Sequence, residues 1–210
     1  MHQLEKRKNG HIEIIGGSMY AGKTEELIRR LKRIQFSKRS FLAFKHCIDR
    51  RYEGSETNIV SHAGLSVAAI EVKSSNEVFI HLKKYKEVNG CLPYAVAIDE
   101  VQFFDDEMVD LIEYLAQEGV RVICSGLEKD FRREPFGIMA PLLLKAEFVT
   151  KLTAICSVCG EPATESQRLV NGMPAGYDDP IVMVGAVESY EPRCRHCHEI
   201  DHPRLNKFKM

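Results

Sequence analysis

The stretch "HIEIIGGSMYAGKT", residues 11–24, constrains the fold more than any other part of the chain. Residues 11–15 form a short β-branched run that stops at Gly16-Gly17, the pattern of a strand. From Thr24 the apolar residues Leu27, Ile28, Leu31 and Ile34 recur at helical spacing, with Arg29, Arg30, Lys32 and Arg33 on the other face. Between strand and helix stands G-x-x-x-x-G-K-T. In that context the backbone N–H groups of Gly17, Ser18, Met19, Tyr20, Ala21, Gly22, Lys23 and Thr24 can point at phosphates, aided by the helix dipole. Lys23 would neutralise β- and γ-oxygens, and the Thr24 hydroxyl would ligate magnesium. A glycine-rich turn with an exposed lysine is the plainer alternative, which the strand–loop–helix order disfavours. Such a loop says that a triphosphate is held, but not what receives its phosphate.

Downstream, strand and helix alternate. "SFLAFKHC" (40–47) predicts a strand, 49–58 a polar loop, 67–72 a strand, and 74–87 a helix capped by Ser74 or Ser75. "YAVAIDE" (94–100) is a buried-type strand ending in two carboxylates. Asp105 is positioned to cap a helix over 106–118, Gly119 stops it, and 120–126 is the next strand. This alternation predicts a parallel α/β sheet flanked by helices, of the type that carries phosphate loops. Asp99, at a strand end, is placed to hold magnesium beside Thr24. Glu100 next to it can polarise a water or take the proton of a substrate hydroxyl, and position alone leaves both open.

The pattern breaks near residue 150. Cys156-Ser-Val-Cys159 and Cys194-Arg-His-Cys197 are two C-x-x-C units, which together complete a closed tetrahedral zinc site. A closed site is structural, so zinc is expected to perform no chemistry. Thirty-four residues separate the pairs, so the metal would staple the base of a long loop. That loop contains "PIVMVGAVESY" (180–190), too apolar for a disordered linker and suited either to closing over a small flat substrate or to packing on the body. The organisation expected is a mobile tail at 1–10, an α/β nucleotide-binding domain at 11–150, a zinc-binding lasso domain at 151–200 and a tail at 201–210.

Composition narrows the function classes. With 44% hydrophobic and 28% charged residues and a net charge of −1, the chain is that of an ordinary globular protein without a global basic field for nucleic acid or membrane. No apolar run approaches the ~20 residues that span a bilayer. The start, "MHQLEKRKNG", has no apolar core behind its charges. The seven cysteines are an odd number, which argues against a full set of internal disulfides. A cytoplasmic protein is expected.

At this point the residues resemble the zinc-containing thymidine kinases. The ordered set "GSMYAGKT", "DRRY", "SHAG", "AIDEVQFF", "GLEKDFRREPFG", "CSVCG", "VGAVESY" and "CRHC" spans about residues 11–198. The resemblance implies transfer of the ATP γ-phosphoryl group to the 5′-hydroxyl of thymidine, and of deoxyuridine. It implies Glu100 as general base, Thr24 and Asp99 at magnesium, and Cys156, Cys159, Cys194 and Cys197 on zinc. The nucleotide site would comprise residues 17–24 with Asp99, Glu100, Val101, Gln102 and Arg51. Tyr190 would lie beside the nucleoside, and Met19, Leu127, Phe131 and Phe136 would form its apolar walls. Without the resemblance, Phe131 and Phe136 read as core aromatics. A homotetramer inhibited by thymidine triphosphate is also implied. Two departures stand out: "GGS" precedes Met19 where many relatives carry a proline, and Arg133 stands where glycine is common. The competing class is a zinc-ribbon ATPase acting on nucleic acid, against which stand the near-neutral charge and the lack of basic and aromatic interleaving around the cysteines.

Overall fold

The computed structural model describes residues 10–48, 58–61, 64–181 and 188–207. Its centre is a six-stranded, all-parallel sheet. The strands are β1 (His11–Gly17), β2 (Phe41–His46), β5 (Ile70–Val72), β6 (Ala95–Asp99), β7 (Arg121–Gly126) and β8 (Phe148–Leu152), in the order β5-β2-β6-β7-β1-β8. The predicted parallel α/β architecture is borne out. The central strands are apolar on both faces because helices cover both. Helix α1 (Lys23–Phe36) packs Leu27, Ile28, Leu31 and Ile34 on Ile15, Ala43, Ala97 and Ile123. Helices α2 (Ser75–Asn89), α3 (Glu107–Gln117) and α4 (Met139–Lys145) cover the opposite face, over Ile14, Phe44, Ile98 and Cys124. Alternation along each strand thus divides one sheet between two cores.

Three details depart from the reading of the sequence. The strand expected at 67–72 is two short ones: β4 (Ser66–Ala68) pairs antiparallel with β3 (Asn58–Val60), and only β5 joins the main sheet. Ile59 and Val67 of that hairpin add to the core under α1, a use for apolar residues that the main sheet does not offer. The N-cap position of α3 falls to Asp106, one residue later than expected, without a side-chain cap bond from Asp106. The Asp105 carboxylate accepts the N–H and hydroxyl of Ser75, joining the starts of α2 and α3. Burial raises its pKa, but these two bonds, with the N–H groups of Asp105 itself and of Met108, outweigh that and lower it. Finally, β1 runs on through Gly16 and Gly17, paired with Lys151 and Leu152 of β8. A Cβ on Gly17 would stand 2.6 Å from the Leu152 carbonyl oxygen, so only glycine permits this approach.

Beyond β8 the pairing becomes antiparallel. β9 (Ala154–Ile155) pairs with β10 (Pro162–Ala163), and β11 (Glu165–Val170) lies between β12 (Met173–Pro174) and β13 (Glu188–Arg193). A short helix, α5 (Pro203–Asn206), closes the described chain. Among the described residues no helix is long and apolar enough to cross a membrane.

Candidate active site and metal centre

The loop after β1 folds as a tight bend into α1. Tyr20 has φ 62 and Gly22 φ 81, both left-handed, and Gly22 is the N-cap of α1 without a side-chain cap bond. The first turn of the helix therefore keeps its N–H groups clear of capping side chains, the arrangement that suits an anion. Lys23 is buried and its Nζ donates to the Ser18 carbonyl at 2.8 Å. Not every loop amide faces inward: Met19 N–H donates to Ser166 Oγ at 3.0 Å, and Ala21 N–H bonds Ser18 O at 3.4 Å.

Two strands away, β6 delivers Asp99 to the start of α1. Thr24 Oγ1 donates to Asp99 Oδ2 at 3.5 Å, and Ser125 at the end of β7 donates to Oδ1. A hydroxyl and a carboxylate are the hard oxygen donors that magnesium takes, so Thr24 and Asp99 fit that ion. Glu100 follows in the left-handed region, φ 52 and ψ 44, with its own N–H on Asp99 Oδ1 at 3.0 Å. Gln102 donates to Glu100 Oε2 at 2.6 Å, and its carbonyl oxygen accepts Leu127 N–H at 3.1 Å. One amide thus ties the Glu100 carboxylate to the loop after β7. Asp99, Glu100, Val101 and Gln102 are all buried.

Of the expected nucleoside residues, Leu127 joins this centre through its N–H on Gln102. Phe136 is half-buried and meets Phe103 edge-on at 5.4 Å, and its N–H bonds Glu128 O. Phe131 is buried beneath the Arg168 guanidinium, 5.1 Å from its ring centre. Tyr190 lies on β13 opposite Arg168. Arg51, with 182–187 of the apolar loop, falls outside the described residues.

The four cysteines converge. Cys156, Cys159, Cys194 and Cys197 have all their sulfurs within 4.8 Å of one another, and Cys159 and Cys194 are 3.6 Å apart. Four thiolates about 2.3 Å from one zinc ion stand about 3.8 Å apart, so the cluster fits that metal. Desolvation pushes the Cys156 thiol up, but N–H groups of Cys194, Cys159 and Val158 draw it down to about 6.

Sequence reasoning missed the polar side chains of β11. Glu165, Ser166, Gln167 and Arg168 are all buried. Glu165 takes Lys129 at 2.7 Å; burial raises its pKa, yet the Lys129 bond and charge, with the Arg133 charge and the Thr164 hydroxyl, bring it below the ordinary value. Gln167 exchanges two bonds with the Glu199 backbone, at 2.7 and 3.0 Å, and Arg168 donates to Pro180 O. A polar run after a C-x-x-C pair gives no periodic signal, so only tertiary contacts reveal this role.

Fold and site define an α/β protein built on a strand, glycine-rich loop and helix, with a four-cysteine unit set against the loop. The thymidine kinase family model matches residues 10–198, and the chain belongs to that family, which makes it a kinase by class. The cysteine cluster fits the zinc-containing type. Among solved structures, the flagellar accessory protein FlaH from Methanocaldococcus jannaschii aligns at 13% identity and a TM-score of 0.43, over 73% of this chain and 75% of that one.

Proposed function

We propose that the protein transfers the γ-phosphoryl group of ATP to the 5′-hydroxyl of thymidine, and of deoxyuridine, in pyrimidine deoxynucleoside salvage. The observation that carries this reading, beside family membership, is Glu100: buried, one residue beyond Asp99, and oriented by Gln102. Phosphoryl transfer needs positioning and charge neutralisation more than covalent chemistry. The amides at the start of α1 and Lys23 hold the β- and γ-oxygens, Lys23 keeping one of its three N–H donors on the Ser18 carbonyl. Thr24 and Asp99 hold magnesium, which supplies positive charge to the phosphate oxygens. Val101 and Gln102 complete this wall, and Arg51 adds a cation near the phosphates. Glu100 accepts the proton of the 5′-hydroxyl.

Met19, Leu127, Phe131, Phe136 and Tyr190 surround the nucleoside, and the loop between the cysteine pairs closes over it and excludes water. Zinc on Cys156, Cys159, Cys194 and Cys197 supplies structure alone. A cytoplasmic homotetramer inhibited by thymidine triphosphate completes the proposal. The test is ATP consumption with magnesium, alone, with thymidine and with single-stranded DNA. Stimulation by thymidine and not by DNA is the predicted result; stimulation by DNA alone would establish the nucleic-acid ATPase instead.

A further inference from the structure

β11 is a polar strand in a buried place, and each buried polar group costs free energy unless it is bonded. Of its four polar side chains, Ser166 bonds the glycine-rich loop. The peptide unit joining Ser18 to Met19 is held on both sides: its N–H donates to Ser166 Oγ at 3.0 Å, and its carbonyl accepts Lys23 Nζ at 2.8 Å. Because a peptide unit is planar and trans, its N–H and C=O point in opposite directions, and fixing one fixes the other. The hydroxyl on β11 therefore sets the direction of the carbonyl that receives Lys23.

Neighbouring contacts support the same junction. Ser18 Oγ donates to Ala163 O at 3.2 Å, and Ala21 packs against the buried cluster of Ala154, Cys156, Ala163 and Cys194. The loop thus rests on the cysteine unit along Ser18, Met19 and Ala21, while Thr24, in the first turn of α1, donates to Asp99.

We propose that Ser166 is a positioning residue for nucleotide binding: by holding the Ser18–Met19 peptide, it sets the loop curvature and the Lys23 ammonium that receive the phosphates. This rests on the reading of the loop as the ATP site. It makes the cysteine unit a support for the nucleotide as well as for the nucleoside loop.

The experiment uses the full-length, zinc-loaded protein with Ser166→Ala, and with Ser157→Ala as the control. Ser157 lies in the same unit and bonds Glu191, away from the loop. ADP affinity is read by calorimetry, and KM for ATP, KM for thymidine and kcat by steady-state assay. Ser166→Ala is expected to weaken ADP binding and raise KM for ATP about tenfold, the size of one lost hydrogen bond. Every constant of Ser157→Ala stays within about twofold; the KM for thymidine of Ser166→Ala rises as well, because the peptide that Ser166 holds carries Met19. ADP binding by Ser166→Ala equal to that of the unsubstituted protein overturns the proposal, as does equal weakening by Ser157→Ala. Unsubstituted protein that binds ADP but forms no thymidine monophosphate defeats the kinase reading alone, since ADP affinity still judges Ser166. Unsubstituted protein that binds no ADP defeats both.

Discussion

Glu100 occupies a backbone conformation, φ 52 and ψ 44, that costs a residue with a side chain about 1–2 kcal/mol. Strain of this kind persists where the surroundings over-determine it, and here Asp99 takes the Glu100 N–H while Gln102 takes the carboxylate. Glu100→Gln is predicted to lower kcat by about 10²–10⁴, the range for a lost general base, with ADP affinity unchanged in calorimetry. Gln102→Ala is predicted to cost about tenfold in kcat, but almost nothing in a Glu100→Gln background, because both act through one carboxylate. Equal losses in both backgrounds would separate Gln102 from Glu100. The neighbouring carboxylates were legible in the sequence, since an apolar run ending in Asp-Glu marks a strand end. The Ser125 bond to Asp99 and the Gln102 clasp were not, because they depend on how β6, β7 and the loop after β7 come together.

At the scale of elements, Glu13 ties the sheet together. Its carboxylate, on β1, accepts Arg121 of β7, Arg30 of α1 at 2.6 Å and His11 at 2.9 Å, while Arg30 also donates to Thr150 of β8. Burial raises the Glu13 pKa, but the bonds from Arg121 and His11 and the guanidinium charges lower it below the ordinary 4.5. A carboxylate whose folded pKa is lowered stabilises the fold above its unfolded pKa, and that stability is lost as pH falls through the folded value. Thermal unfolding from pH 7 to pH 3 should therefore show Glu13→Gln less stable by about 1–3 kcal/mol at neutral pH, with the gap closing below pH 4.5. A gap that stays constant with pH would deny the ion pairs this role. Elements with a clear period were readable: α1 and α3 by their apolar stripes, β6 by its unbroken run. β11 was not, since Glu-Ser-Gln-Arg looks solvated until its four partners are in place. The 67–72 segment misled because one β-rich run feeds two different sheets.

For the whole molecule, a parallel sheet and a cysteine unit meet at the glycine-rich loop. Both halves were visible in the sequence, one as strand–helix alternation and the other as paired C-x-x-C units. Their junction was invisible, being made of single bonds such as Met19 to Ser166 and of the packing of Ala21 on the cysteine cluster. Metal binding to such a cluster contributes folding free energy, so Cys194→Ser should lose bound zinc. Hydrogen exchange should then rise through β9 to β13 while amides of β1, β6 and β7 stay protected. Uniform exchange across both parts would mean that the cluster does not stabilise the unit separately.

The most direct test of the central claim is the identity of the product. Protein, magnesium, ATP and thymidine are mixed and the nucleotides followed by mass. Thymidine monophosphate appearing in step with ADP, and little ADP without thymidine, is the predicted result for a carboxylate at Glu100 that serves a 5′-hydroxyl. ADP formed at the same rate in both mixtures, with no phosphorylated nucleoside, would contradict it and make water the acceptor.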